Sequence, residues 1–416
     1  MVLVISRKNE KLWIIFFLIA LSWSILASIH ANDFDVYINA ANRLKNGDDI
    51  YSPPFYHESL KYFYSPLLAL LLVPFTYFPS SIVETCWLLF LFYSICEIWV
   101  LAESYFEISK LSKKQYRNWI LISLFFIFST VLYNISQVQV TVFLVWAIFK
   151  SFRLFVRKEI FWGSALLALV INIKIMPIVF LPYLLYRNEW KAFLITIVIC
   201  LIYLYIPAIF LGLKYNQQLL HSWWNCINPS KQEHLIETSN LLHSLTSTIP
   251  VFLTETKGSL DYRRNLLNLN VSTVEFITNI CRIFLVTFSI FFFQTRPFIS
   301  IKERLKIFWE CSYIFLITPL IFPQQNKYAY FFVLPAFMYL VYYLICTFKK
   351  VNKHLVIYLA IISLIYTPLN GSDILGHHFF DLLQFFRIQV ICTLMYIPVL
   401  LYWSPQRLQK TLAEGV

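Results

Sequence analysis

The stretch from Tyr64 to Pro79, YSPLLALLLVPFTYFP, decides how this chain threads. Apolar over sixteen residues, it reads at first as one more membrane span. Crossing there would put the loop SKLSKKQYR (109–117) on the side opposite SRKNEK (6–11) and invert every later basic loop. Pro66, Pro74 and Pro79 also interrupt the segment, and proline ends or kinks helices. The segment is therefore expected to lie in the outer interface, or to re-enter, without crossing.

The basic loops that force this choice run along the whole chain. After residues 6–11 and 109–117 come KSFRLFVRK (150–158), RNEWK (187–191), RPFISIKERLK (296–306), FKKVNK (348–353) and SPQRLQK (404–410). Lysine and arginine gathered in short loops follow the rule that such loops stay cytoplasmic. The net charge of +12 is thus a membrane signature, and partnership with nucleic acid is excluded. Hydrophobic residues make up 59% of 416, charged residues 13%, and the mean hydropathy is +0.65, values of an all-α polytopic membrane protein. The first apolar run, LWIIFFLIALSWSILASI (12–29), is too long for a signal-peptide core and lacks a small-residue cleavage site, so it reads as a membrane helix. Seven of the eight cysteines lie in apolar runs and none forms a CxxC pair, which argues against a disulfide framework or zinc site.

With the basic loops inside, apolar stretches fall near 11–30, 81–104, 119–133, 138–150, 160–173, 176–187, 191–212, 271–294, 307–322, 328–347, 354–369 and 386–403. That gives about twelve crossings in a single integral membrane domain spanning 1–416, with both termini cytoplasmic. Residues 31–80 form the first outer loop with two interfacial helices, and 213–265 form a long outer loop. No internal repeat is visible, and no P-loop, GxSxG, HExxH or GxGxxG motif occurs.

The polar candidates collect on the outer side. Asp33 and Asp35 stand where the chain leaves its first apolar run. Residues i and i+2 of a helix point about 200° apart, so at most one of the two acids faces any one cavity. Helix capping accounts for both equally well at this point. Asn134, Gln137 and Gln139 occupy a tight turn, where amides bind sugar hydroxyls or simply meet water. Lys174 interrupts apolar sequence just before Pro177; a cation there takes an anion or snorkels to the interface. Asn240 and His243 lie in the long outer loop, and Lys327 and Tyr328 at a helix start, placed for an anionic headgroup. His377 and His378 point apart and neither has a second histidine at i, i+4, so with Asp373 and Asp381 nearby they are still not read as a metal site. Cations to hold a phosphate leaving group, with a carboxylate to take a proton, suit sugar transfer from a lipid-phosphate carrier without a nucleotide, metal or other cofactor.

The order of these patches resembles glycosyltransferase family 87, whose members are GT-C-type membrane enzymes that include polyprenol-phosphate-mannose-dependent mannosyltransferases. DFDVYINAANRLKNGDDIY and FYSPLLALLLVPFTYFP are similar to the family's acid-Phe-x-Val-Tyr and Tyr-Pro-Pro-Leu opening. SQVQVTVFLVWAIF, INIKIMPIVFLPYLLYR, SNLLHSL and FPQQNKYAYFFVLP follow in the family's order over roughly residues 10–340. Ser65 departs from the first proline of Pro-Pro, Ser136 from a glycine, and the histidine many members carry beside their lysine is missing near Lys327.

The resemblance implies a GT-C-type fold whose first outer loop holds an essential acid and two helices lying on the membrane. It implies Asp33 as general base of an inverting transfer and Asp35 as a secondary acid; Tyr37, Asn134, Gln137, Gln139, Asn240, His243 and Tyr328 are the expected substrate contacts. Lys174 and Lys327 are expected to neutralise the donor phosphate. The expected partners are a polyprenyl-phosphate sugar, a lipid or glycan acceptor and membrane lipids, in a bacterial inner membrane with the active site facing the periplasm. Two other classes stay open: a transporter or flippase of a lipid-linked or anionic substrate, and a ligase- or polymerase-like enzyme leaning on Arg263, Arg264 and His234.

Overall fold

The structure, a computed structural model, describes residues 18, 20–26, 32–52, 61–229, 231, 234, 239, 241–348 and 350–413. Most of the first apolar run and Asn240 lie outside them. The described residues are helical and form no strand; a lone antiparallel bridge joins Leu242 to Asn326. Without water, a backbone satisfies itself most simply as helix, which is why long apolar runs take this form. Among the described residues five helices are long and apolar enough to cross a membrane: Ser80–Glu103, Lys113–Ser136, Trp190–Leu211, Val271–Phe292 and Lys327–Thr347. His377–Phe385 and Ile388–Tyr402, bent by 62°, form a sixth if taken as one span. The chain is a helical membrane protein.

Two compact units divide it. The first combines residues up to Ala102 with Asn134–Asn228. Its opening helix, Asp33–Asn46, buries Phe34, Tyr37, Ala41 and Leu44 at helical spacing and ends on Gly47, whose φ of +79° suits a residue without Cβ. Tyr51 Oη then donates to the Tyr64 carbonyl at 2.8 Å and Trp223 Nε1 to that of Phe63 at 3.2 Å. These bonds fix the backbone entering helix Pro66–Leu72, which tightens into a 3₁₀ turn over Val73–Tyr77. The two pieces together reach about 20 Å, short of the roughly 30 Å of a bilayer core.

Helices Thr141–Val156, Ile160–Ile173 and Trp190–Leu211 also belong to this unit. Gly163 allows the close packing, since a Cβ there would lie 2.6 Å from the Phe155 ring. Lys150 pairs with Glu97 at 2.5 Å, and Trp146 Nε1 donates to the same carboxylate at 2.7 Å, so this acid within a span is compensated.

The second unit comprises Glu103–Tyr133 and Pro229–Val416. Helix Arg304–Ile321 is buried along nearly its whole length. Its Trp309 stacks on Phe292 at 4.3 Å and donates Nε1 to the Leu400 carbonyl at 2.7 Å, while Trp119 Nε1 donates to Met338 at 2.8 Å. Indole groups buried here thus find carbonyl partners, as buried polar groups must.

Asn32 does two jobs for the first unit. Its Oδ1 caps helix Asp33–Asn46, accepting from Phe34 N at 2.8 Å, and its Nδ2 donates to buried Glu84 Oε1 at 2.6 Å. Asn32→Ala loses the cap and leaves Glu84 short of a donor, a combined cost of about 2 kcal/mol. In thermal unfolding of the detergent-solubilised protein, Asn32→Ala with Glu84→Ala should cost less than the sum of the two single changes. Strict additivity would show that the pair is not coupled.

Candidate active site

The capping geometry separates the two acids. Asp35 Oδ2 accepts from the Asn32 backbone N–H at 3.3 Å, closing a capping box. Asp33 accepts from Gln139 Nε2. The other end of that amide, Gln139 Oε1, lies 3.4 Å from Tyr37 Oη and 3.3 Å from Tyr64 Oη, and the two phenol oxygens are 3.0 Å apart. One glutamine therefore links a carboxylate to a pair of tyrosines.

Gln139 reaches this position through an unusual turn. After helix Lys113–Ser136, Val138 takes φ +50°, a left-handed conformation costly for a β-branched residue. Full burial of Val138 holds it there, with Val138 N–H donating to Ile135 O at 3.2 Å and Gln139 N–H to Asn134 O at 2.9 Å. Asn134 is thus buried within the turn, whereas Gln137 is partly exposed.

Lys174 arrives from another helix end. Ile160–Ile173 stops where Lys174 becomes extended (φ −143°, ψ 124°), and Pro177 opens the next turn with no N–H to continue the ladder. The Lys174 ammonium lies 5.7 Å from the Tyr64 ring centroid. Burial pushes this ammonium down to about 8, against the attraction of Asp33. Burial also raises the Asp33 carboxyl above its ordinary value, while Lys174 and the Gln139 amide restrain the rise. Each charge is costly alone and eased by the other. A bound phosphate would restore full charge to the lysine, and a carboxylate with a raised pKa is a better base than one in water.

Phe34 and Ile173, chain neighbours of Asp33 and Lys174, line an apolar groove of about 530 Å³ together with Leu68, Phe75, Trp87 and Phe143. The carboxylate and the cation are thus each one residue in sequence from a side chain that lines a hydrocarbon space. Tyr64 and the groove residues are additions to the site residues singled out from the sequence. Tyr64 sits in the quoted FYSP motif, where a tyrosine beside a helix-starting proline was the available signal.

The second unit brings together two other motifs. His243 N–H donates to Gln325 O at 2.5 Å and Tyr330 Oη to His243 O at 2.9 Å, joining SNLLHSL to FPQQNKYAY. The His243 ring is fully buried; burial first, then Arg387 and Lys327, keep it well below its ordinary pKa and so neutral. Lys327 Nζ sits 4.3 Å over the Phe380 ring, and Tyr328 stacks on Tyr133 at 6.4 Å. Arg264 Nη1 donates to the Phe385 carbonyl at 3.1 Å and Nη2 to Thr256 Oγ1 at 3.2 Å, so this arginine ties its loop to the end of helix His377–Phe385. Among the described residues no group of three His, Cys, Asp or Glu is placed to hold a metal ion.

Residues 62–251 match the family model of glycosyltransferase family 87, in agreement with the resemblance of the motifs. The matched stretch holds Tyr64, Asn134, Gln137, Gln139, Lys174 and His243, and leaves Asp33, Asp35, Tyr37, Lys327 and Tyr328 outside it. No curated protein and no solved structure matches the chain.

Unfolded aspartate titrates near 3.9. Because burial raises Asp33 above that value, its protonated form favours folding, an advantage present at low pH and lost as pH rises through the folded value. Asp33→Asn is therefore expected to melt above the wild type at pH 7.5, with the difference fading towards pH 4. A lower melting temperature for the variant at pH 7.5 would contradict the burial argument.

Proposed function

Taking the family match to indicate a membrane glycosyltransferase, we propose that this protein transfers a sugar, with mannose the first candidate, from a polyprenyl-phosphate carrier to a lipid or glycan hydroxyl. The observation that carries the reading is that Asp33 and Lys174, which influence each other's charge, each adjoin in sequence a residue of the apolar groove, Phe34 and Ile173. A polyprenyl-phosphate donor combines a hydrocarbon chain, an anion and a reactive anomeric carbon, and each has a counterpart there.

In this mechanism Asp33 takes the proton of the acceptor hydroxyl as its oxygen attacks the anomeric carbon. The carbon–oxygen bond to the phosphate breaks on the opposite face, so the configuration inverts. The electron pair leaves with the lipid phosphate, whose added charge Lys174 meets. Gln139 holds the Asp33 carboxylate in place, and Tyr37 and Tyr64 offer hydroxyls to the sugar. Asp35, engaged at the helix cap, is a supporting acid in this scheme. The shorter apolar helices complete about twelve crossings in a GT-C-type arrangement, within a bacterial inner membrane. The termini are cytoplasmic and the reaction faces the periplasm.

The test is release of polyprenyl phosphate from polyprenyl-phosphate mannose by the protein in nanodiscs supplied with membrane extract as acceptor. Asp33→Asn should lower the rate by two to four orders of magnitude, roughly the worth of a general base. Lys174→Gln should cost roughly one to two orders and Asp35→Asn less than about tenfold, once stability is accounted for. Full activity in a folded Asp33→Asn protein would refute the assignment.

A further inference from the structure

The apolar groove of the first unit has an open side and a closed end. Helix Ser80–Glu103 lines it with Ile82, Val83, Cys86, Trp87 and Phe90, a stripe at helical spacing about 12 Å long. Leu71, Phe75, Phe78 and Ile82, all lining residues, are substantially exposed, so the groove is open along that side. Beyond Phe90 the space is filled. The rings of Phe90, Phe143 and Trp146 form a closed triangle with centroids 5.4, 5.8 and 5.9 Å apart. Past this triangle Trp146 Nε1 donates to Glu97 Oε2 at 2.7 Å, and Lys150 pairs with the same carboxylate at 2.5 Å. Helices Ser80–Glu103 and Thr141–Val156 are thus pinned together there. Parting them would leave two charges uncompensated, a cost that keeps this end shut.

Lipid tails are as apolar as this lining, so a hydrocarbon chain gains little by leaving the bilayer for a featureless groove. What the groove adds is rings: Phe34, Phe75, Phe78, Trp87, Phe90 and Phe143. Their flat faces grip the planar double bonds and side methyls of an isoprenoid better than a flexible, unbranched acyl chain. The buried Trp87 Nε1 has no hydrogen-bond partner among the described residues, and a double bond is the one weak acceptor that a hydrocarbon chain offers an N–H. At the packing density of protein interiors an isoprene unit fills roughly 125 Å³, so a groove of about 530 Å³ holds about four units.

We propose that the groove is an isoprenoid seat of fixed length. It holds about the first four units counted from the phosphate, Phe90 and Phe143 set the limit, and the remainder of the chain leaves through the open side into the bilayer. The phosphate end lies towards Phe34 and Ile173, whose chain neighbours are Asp33 and Lys174. This inference rests on the reading of the donor as a polyprenyl phosphate and adds which part of that donor is recognised.

Displacement of a diazirine-bearing geranylgeranyl phosphate from the full chain in nanodiscs tests this, each competitor being added at equal mole fraction of the lipid. Geranylgeranyl phosphate, with four units, should compete about tenfold better than geranyl phosphate, with two, and better than unbranched hexadecyl phosphate. Undecaprenyl phosphate, with eleven units, should match geranylgeranyl phosphate within about twofold. Phe143→Ala, or the milder Phe90→Leu, deepens the end and should favour a five-unit phosphate several-fold over the four-unit one, a preference the wild type lacks. Leu201→Ala, on an exposed face of helix Trp190–Leu211, should change nothing. Competition that keeps strengthening beyond four units, that hexadecyl phosphate matches, or whose length preference both phenylalanine variants leave unchanged would overturn the proposal while leaving a prenyl-phosphate donor in place. Failure of every prenyl phosphate to bind would instead overturn the reading of the donor, and the proposal with it.

Discussion

A single side-chain amide joins the parts of the first unit that the proposed chemistry uses. Gln139 donates to Asp33 with one end and lies near Tyr37 and Tyr64 with the other, so the opening helix, the Pro66 helix start and the turn at Val138 meet on one residue. The backbone strain at Val138 makes sense against this geometry. Burial of its side chain offsets the left-handed conformation, and that conformation returns the chain to present Gln139 to the acid. Charge follows position: the same burial that raises Asp33 lowers Lys174, and each restrains the shift of the other.

Much of this was legible along the chain. The basic loops located most helix ends, and Ile160–Ile173 coincides with its apolar stretch because Lys174 and Pro177 stop it. The different fates of Asp33 and Asp35 followed from helical geometry once one of them was needed as a cap. Contacts distant in sequence were not legible. Asp33 and Gln139 are 106 positions apart, and no local pattern announces such a pairing. Val138 was hidden for the opposite reason, since a β-branched residue is a poor signal for a left-handed turn.

The segment Tyr64–Pro79 gains its meaning from the same geometry. As two short helical pieces of about 20 Å it does not match a bilayer core, but it supplies Tyr64 to the polar cluster and Leu68 and Phe75 to the groove beside it. A short apolar element entered at Tyr64 can hold polar and apolar groups of one ligand side by side, which a straight span would spread along its length. This placement gives the proposed donor its two ends: phosphate and sugar at Asp33 and Lys174, isoprenoid along Phe34 and Trp87.

The central claim is that the polar pair and the groove serve one lipid-linked donor, and photo-crosslinking tests it most directly. A polyprenyl-phosphate mannose carrying a diazirine in its first isoprene units should label peptides containing Phe34, Phe75 or Trp87, with labelling competed by unlabelled donor. Labelling confined to other peptides, or unaffected by excess donor, would contradict the account.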